Sequence, residues 1–72
     1  MTKHNALVDL YSARRDRAVV RAAFATAYGL AELAAGNISD ACDLFVMSIE
    51  ETNLANAYES EIAAELAAEP EA

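Results

Sequence analysis

Apolar positions along this chain recur at intervals of three and four residues, while strict alternation and β-branched runs are both missing, so the pattern predicts helices and no strands. Val20, Ala23, Phe24, Ala27, Leu30, Ala31 and Ala34 make one broad apolar face at helical spacing. Nearer the N-terminus, Leu7, Leu10 and Tyr11 turn toward roughly the opposite side. The second half of the chain shifts in the same way. Cys42, Phe45, Val46 and Ile49 share one face, and Leu54, Tyr58, Ile62 and Leu66 share another, rotated by roughly a third of a turn.

One clear divider interrupts the pattern, Gly36-Asn37-Ile38-Ser39-Asp40. Gly36 suits the left-handed conformation that closes a helix. Asn37 or Ser39 suits the N-cap of the next one, with Asp40 well placed in its first turn. The expected organisation is a single all-α domain: a helix over about 5–35, a turn at 36–39, a second helical stretch over about 39–68 stopped by Pro70, and a frayed tail at 69–72. A short turn makes the two helices an antiparallel hairpin. Thr52 and Asn53 are poor helix formers and good caps, which predicts a break or kink near 51–53, and hence three helices as the variant of this plan. A break near Ser12 would account for the shift in the first helix in the same way; the other solution is that the helices run straight and bury different faces against different partners.

Seventy-two residues bury only a small core, and much of the apolar content is alanine, which adds helix propensity but little buried area. Apolar side chains on so many sides exceed what one hairpin can cover, so dimerisation into a helical bundle is expected. Ala18, Ala22, Ala25 and Gly29 run along one side at spacings of four, three and four. Such a line lets another helix approach closely, and together with Phe24 and Tyr28 it is the expected self-association surface.

The formal charge is −7, unevenly spread. Lys3, Arg14, Arg15, Arg17 and Arg21 are all the basic residues, and every one precedes Ala22. Folding back at the turn brings the arginines alongside 53–61, where Glu59, Glu61 and Glu65 are expected partners. Exposed pairs are worth under about 1 kcal/mol each, so they set orientation more than stability.

Catalytic chemistry finds little footing, and the chain is read as a non-enzyme with no cofactor or metal. The one histidine, His4, stands in the N-terminal fringe, and the one cysteine, Cys42, is read as a small core residue. Cys-x-x-Cys, His-x-x-x-His, EF-hand and glycine-rich phosphate motifs are missing. No secretory core or membrane-length apolar run occurs, so Asn37-Ile38-Ser39 is a chance sequon and a cytoplasmic location is expected. A helix-turn-helix over 28–52 is excluded, because its reading helix would carry Asp40, Asp43, Glu50 and Glu51 and no base.

What remains is binding. Leu10, Arg14, Arg17, Arg21, Phe24 and Tyr28 fall on one seam, with arginines to grip phosphates and aromatics to stack on bases. With that seam doubled in a dimer, the fold plan resembles the Rop-type plasmid copy-number repressors, helical-hairpin dimers that bind paired RNA loops. The resemblance is architectural and implies structured RNA as one ligand, against which the acidic net charge argues. The chain also resembles, in size, charge and want of catalytic parts, the short accessory proteins of phages and mobile elements, such as anti-CRISPRs and inhibitors of host regulators. That resemblance implies a protein-binding module that alters a partner's activity. Two docking surfaces are expected for it. An acidic face of Glu50, Glu51, Glu59, Glu61 and Glu65 would occupy a basic, nucleic-acid-binding groove. A patch of Leu7, Tyr11, Arg14 and Arg15 would anchor through tyrosine and arginine. A structural subunit of a larger complex is the remaining alternative.

Overall fold

The computed structural model describes the backbone of residues 3–68 and the side chains of 5–68. It holds two helices, α1 (Lys3–Ala34) and α2 (Ile38–Ala67), packed as an antiparallel hairpin. The predicted tail at 69–72 and the side chain of His4 lie outside the described residues.

The turn follows from Gly36. Its φ of +84° is left-handed, a conformation that costs an L-residue dearly. The Gly36 N–H donates to the Leu33 carbonyl at 3.1 Å and the Asn37 N–H to the Glu32 carbonyl at 2.9 Å, the paired bonds of a Schellman motif. The Ala41 N–H then donates to the Asn37 carbonyl and opens α2, with Asp40 in its first turn as expected. Asn37 is the N-cap residue, but its side chain does not cap. Its Nδ2 donates instead to Glu32 Oε2 at 2.7 Å, across the turn. No atom lies within 4 Å of where a Cβ on Gly36 would stand. Gly36→Ala is therefore expected to cost about 1–2 kcal/mol from backbone conformation alone, read as a lowered urea midpoint. An unchanged midpoint would show that the turn does not need this conformation.

Neither predicted break occurs. Both α1 at Ser12 and α2 at 51–53 run on without interruption. Thr52 and Asn53 are exposed, so their weak propensity is carried by the packed turns on either side.

The interior follows a heptad rather than the large apolar residues. On α1 the seam is Val8, Tyr11, Arg15, Ala18, Ala22, Ala25, Gly29 and Glu32. On α2 it is Ala41, Leu44, Ser48, Glu51, Ala55, Tyr58, Ile62 and Glu65. Every one of these is buried or half-buried, and outside them only Leu7, Ser12 and Phe45 escape full exposure among the described side chains. This regular three-four spacing is that of two helices packed nearly antiparallel along their length. The best-buried positions are small: Ala18 at 0%, Ala41 at 1%, Ala25 at 3% and Ala55 at 5%. Ile62 is the one large buried side chain among those described. At Gly29 a Cβ would stand 2.6 Å from Phe45 Cε1, so the ring occupies the space a side chain would need.

One expectation is thereby corrected. The line Ala18, Ala22, Ala25, Gly29 is the inside of the hairpin, not a surface for a second chain, because α2 already covers it. The broad face of Val20, Phe24 and Leu30 points to solvent, each more than half exposed. Alanine and glycine win the interior because they let two backbones approach closely enough for dispersion along their whole length.

Candidate functional surfaces

A two-helix hairpin is a slab, here 58 × 16 × 11 Å, with a seam inside and two broad faces outside. At 100° per residue, positions flanking the seam fall on one face or the other. Contacts across the seam fix the assignment: Arg21 meets Glu51 on one face, while Arg15 meets Glu59, Thr26 meets Ser48 and Gly29 meets Phe45 on the other.

The first face is charged. From α1 it carries Leu7, Leu10, Arg14, Arg17, Arg21, Phe24 and Tyr28; from α2 it carries Asp40, Asp43, Met47, Glu50, Leu54 and Glu61. One long edge is therefore basic and the other acidic. Arg21 Nε donates to Glu51 Oε2 at 2.9 Å and joins the two edges at mid-length. Phe24 and Tyr28 stack at a centroid distance of 6.3 Å, both largely in solvent at 58% and 60% exposure. Next to them, Tyr28, Glu32, Asp40, Asp43 and Leu44 line an open depression of about 420 Å³.

The second face is apolar over the half nearest the turn. Val19, Ala23, Leu30 and Leu33 of α1 and Ile38, Cys42, Phe45 and Ile49 of α2 lie there, with no charged residue among them. Ile49, Leu30, Ile38 and Val19 are each more than half exposed. Cys42, read from sequence as a core residue, is exposed at the edge of this face. Its neighbours are apolar, as the spacing implied, but they lie outside the hairpin. Toward the open end the face becomes polar, with Asp16, Thr52, Asn56 and Glu59.

The seam's polar contacts hold the slab in register. Thr26 Oγ1, Ser48 Oγ and the Ala22 carbonyl lie 2.6–3.1 Å from one another, two hydroxyl protons shared among three oxygens. Tyr11 stacks on Tyr58 at 6.2 Å. Arg15 bonds Glu59 and also Asp16. Those hydrogen bonds, Glu59's first, raise the already high pKa of the guanidinium and keep it charged.

The expected docking surfaces do not assemble as drawn. Leu7 and Arg14 lie on the charged face, but Tyr11 is in the seam and Arg15 leans to the opposite face, held by Glu59. The five glutamates are likewise dispersed. Glu50 and Glu61 edge the charged face, Glu51 is engaged by Arg21, Glu59 by Arg15, and Glu65 is half-buried in the seam. Residues a heptad apart share a side and neighbours in the sequence do not, so runs of like residues were the wrong signal. Sequence reasoning also missed Asp40 and Asp43 as part of the acidic edge, and Leu33 and Ile38 as part of the apolar face. The heptad through Ala41, Ser48, Ala55 and Ile62 would have found both.

No group of three or more His, Cys, Asp or Glu side chains suited to a metal ion occurs among the described residues. No described helix is long and apolar enough to cross a membrane. No protein-family model, curated protein or solved structure matches the chain.

Proposed function

We propose that this chain is a self-associating helical hairpin that binds a protein partner through its charged face and alters that partner's activity, as the short accessory inhibitors of mobile elements do. The observation that carries the reading is the stacked pair Phe24–Tyr28, exposed beside Arg17 and Arg21. Exposed aromatics flanked by arginine have the composition of energetic anchors at protein interfaces. Neither Arg14 nor Arg17 is engaged in an ion pair among the described residues, so both are open to a partner's carboxylates. The acidic edge of Asp40, Asp43, Glu50 and Glu61 runs parallel to them, which selects a partner of the opposite two-edged pattern.

That same acidic edge weighs against structured RNA. A duplex or loop seated on the arginines would bring phosphates over four carboxylates of the same face. The basic and acidic edges belong to a slab only 16 Å wide, about two screening lengths of physiological salt, and Glu51 lies in direct contact with Arg21.

Affinity capture from a host lysate, with the wild-type chain and a Phe24→Ala/Tyr28→Ala variant run in parallel, tests the reading. Both substituted residues are exposed, so the hairpin's own seam is left intact. Loss of anchors of this kind is expected to weaken a partner by roughly thirtyfold or more, about 2 kcal/mol or above. Equal capture by both chains, or capture abolished by ribonuclease, would overturn the proposal.

A further inference from the structure

We infer that the apolar face seats a second copy of this chain, the two hairpins stacked face to face with their turns at the same end. The inference rests on the self-association reading above and adds its surface and its alignment.

The hairpin is unfinished as a globule. Its accessible surface is 5030 Å², where a compact monomer of 7.7 kDa has roughly 4,300 Å². Its radius of gyration is 16.4 Å, against about 11 Å for a compact chain of this length. Most of the large apolar side chains that would complete a core are on the outside. Over Val19, Leu30, Leu33, Ile38, Phe45 and Ile49 they are contiguous and uncharged. Such a patch offers no charge by which to select a stranger, and it matches itself. A second copy is also the one partner always present when the chain folds.

Area decides the alignment. Overlap of the turn halves alone gives half of the face, roughly 380 Å² per copy in plan, short of the approximately 800 Å² of a standard interface. Full-length overlap of the paired helices, about 48 Å for the 32 residues of α1 at 1.5 Å each and 16 Å across, gives roughly 770 Å², which reaches it. Full overlap with the turns at opposite ends, however, sets the apolar half of each copy against Asp16, Thr52, Asn56 and Glu59 of the other. With the turns together, like lies on like. A two-fold axis along the slab then places α1 of one copy over α2 of its partner, so every neighbouring pair in the four-helix bundle is antiparallel. It also brings Arg15, already paired with Glu59 and Asp16 in its own chain, level with Glu59 of the partner subunit. Each copy therefore brings one arginine and two carboxylates to the polar end, which stays at the wet margin while the apolar half supplies the contact.

Sedimentation equilibrium and a single distance measurement test this. The wild-type chain is expected to sediment at twice 7.7 kDa at micromolar concentration. Leu30→Glu and Ile49→Glu place a charge on the apolar face at residues the hairpin's seam does not use, and each is expected to weaken dimerisation at least 100-fold. Met47→Glu, on the charged face, is expected to leave the dimer intact. Because the chain has one cysteine, a nitroxide on Cys42 reports alignment in the unmutated dimer. Turns together place the two labels within about 25 Å; turns apart place them beyond about 33 Å, given a 1.5 Å rise per residue. A well-folded wild-type monomer would overturn the self-association reading as a whole and leave the face to an unrelated protein or a lipid surface. A dimer indifferent to Leu30→Glu and Ile49→Glu would overturn the choice of face only, and the longer distance would overturn the alignment only.

Discussion

Ile62→Ala is expected to be the most damaging single substitution in the hairpin, at about 2–5 kcal/mol. Ile62 is 8% exposed and is the one large side chain buried among the described residues. The other buried positions are alanines and Gly29, which contribute close backbone approach but little apolar area. Removing the isoleucine's outer carbons deletes transfer free energy and leaves a void beside the stacked Tyr11–Tyr58 pair, which the register places at the same end of the slab. A chain of this size rarely draws more than about 3–5 kcal/mol from its core, so the variant is expected to be largely unfolded at low concentration. Val46→Ala is the comparison, since Val46 is 53% exposed and points away from α1; its expected effect is within about 0.5 kcal/mol. Urea unfolding followed by circular dichroism, at one fixed chain concentration, separates the two. Equal midpoints for both variants would mean that the seam does not hold the structure.

The outline of this fold was legible in the sequence because few residues carry it. Gly36 demands a left-handed turn, and the segregation of arginine before glutamate favours a chain folded back on itself. The Arg15–Glu59 pair confirms the expected register to within a turn. What misled was size. The sequence pattern reads the Ala18–Gly29 line outward, as a surface for a second chain, and assigns the face of Val20, Phe24 and Leu30 to neither side. Two lone helices reverse that reading. Their contact is strongest where side chains are smallest, and bulky residues are displaced to the flanks, where they await further cover. The same reversal explains Cys42, whose neighbours are apolar yet exposed.

The broken second helix failed for a related reason. Propensity at Thr52 and Asn53 is a weak local preference of a few tenths of a kcal/mol each. Against it stand Glu51 bonded to Arg21 just before and Ala55 buried just after. Breaking the helix there would misalign the heptad on one side or the other. The faces, and with them the candidate surfaces, could only be drawn once the seam was known.

Ala18→Leu tests that seam from the opposite direction, by adding volume where Ile62→Ala removes it. Ala18 is 0% exposed, and the register set by Arg15–Glu59 and Arg21–Glu51 places it across from Ala55, itself 5% exposed. Nothing at this level can yield except backbone, so three added carbons must push the helices apart. Overpacking of this kind is expected to cost about 1–3 kcal/mol. At roughly 4–8 °C per kcal/mol, the midpoint of thermal unfolding should then fall by at least about 4 °C. Ala27→Leu, the same change at an exposed outward position of the same helix, is expected to leave the midpoint unmoved. The distinction matters because leucine is an excellent helix former, so α1 taken alone tolerates both substitutions. A loss confined to Ala18→Leu therefore belongs to the contact between helices. The separation forced at Ala18 also reaches its neighbours: Arg15 and Arg21 stand one turn to either side, and spreading the helices lengthens both ion pairs. A leucine accepted at Ala18 without loss would mean that the helices are free to stand further apart, and that the small seam does not set their spacing.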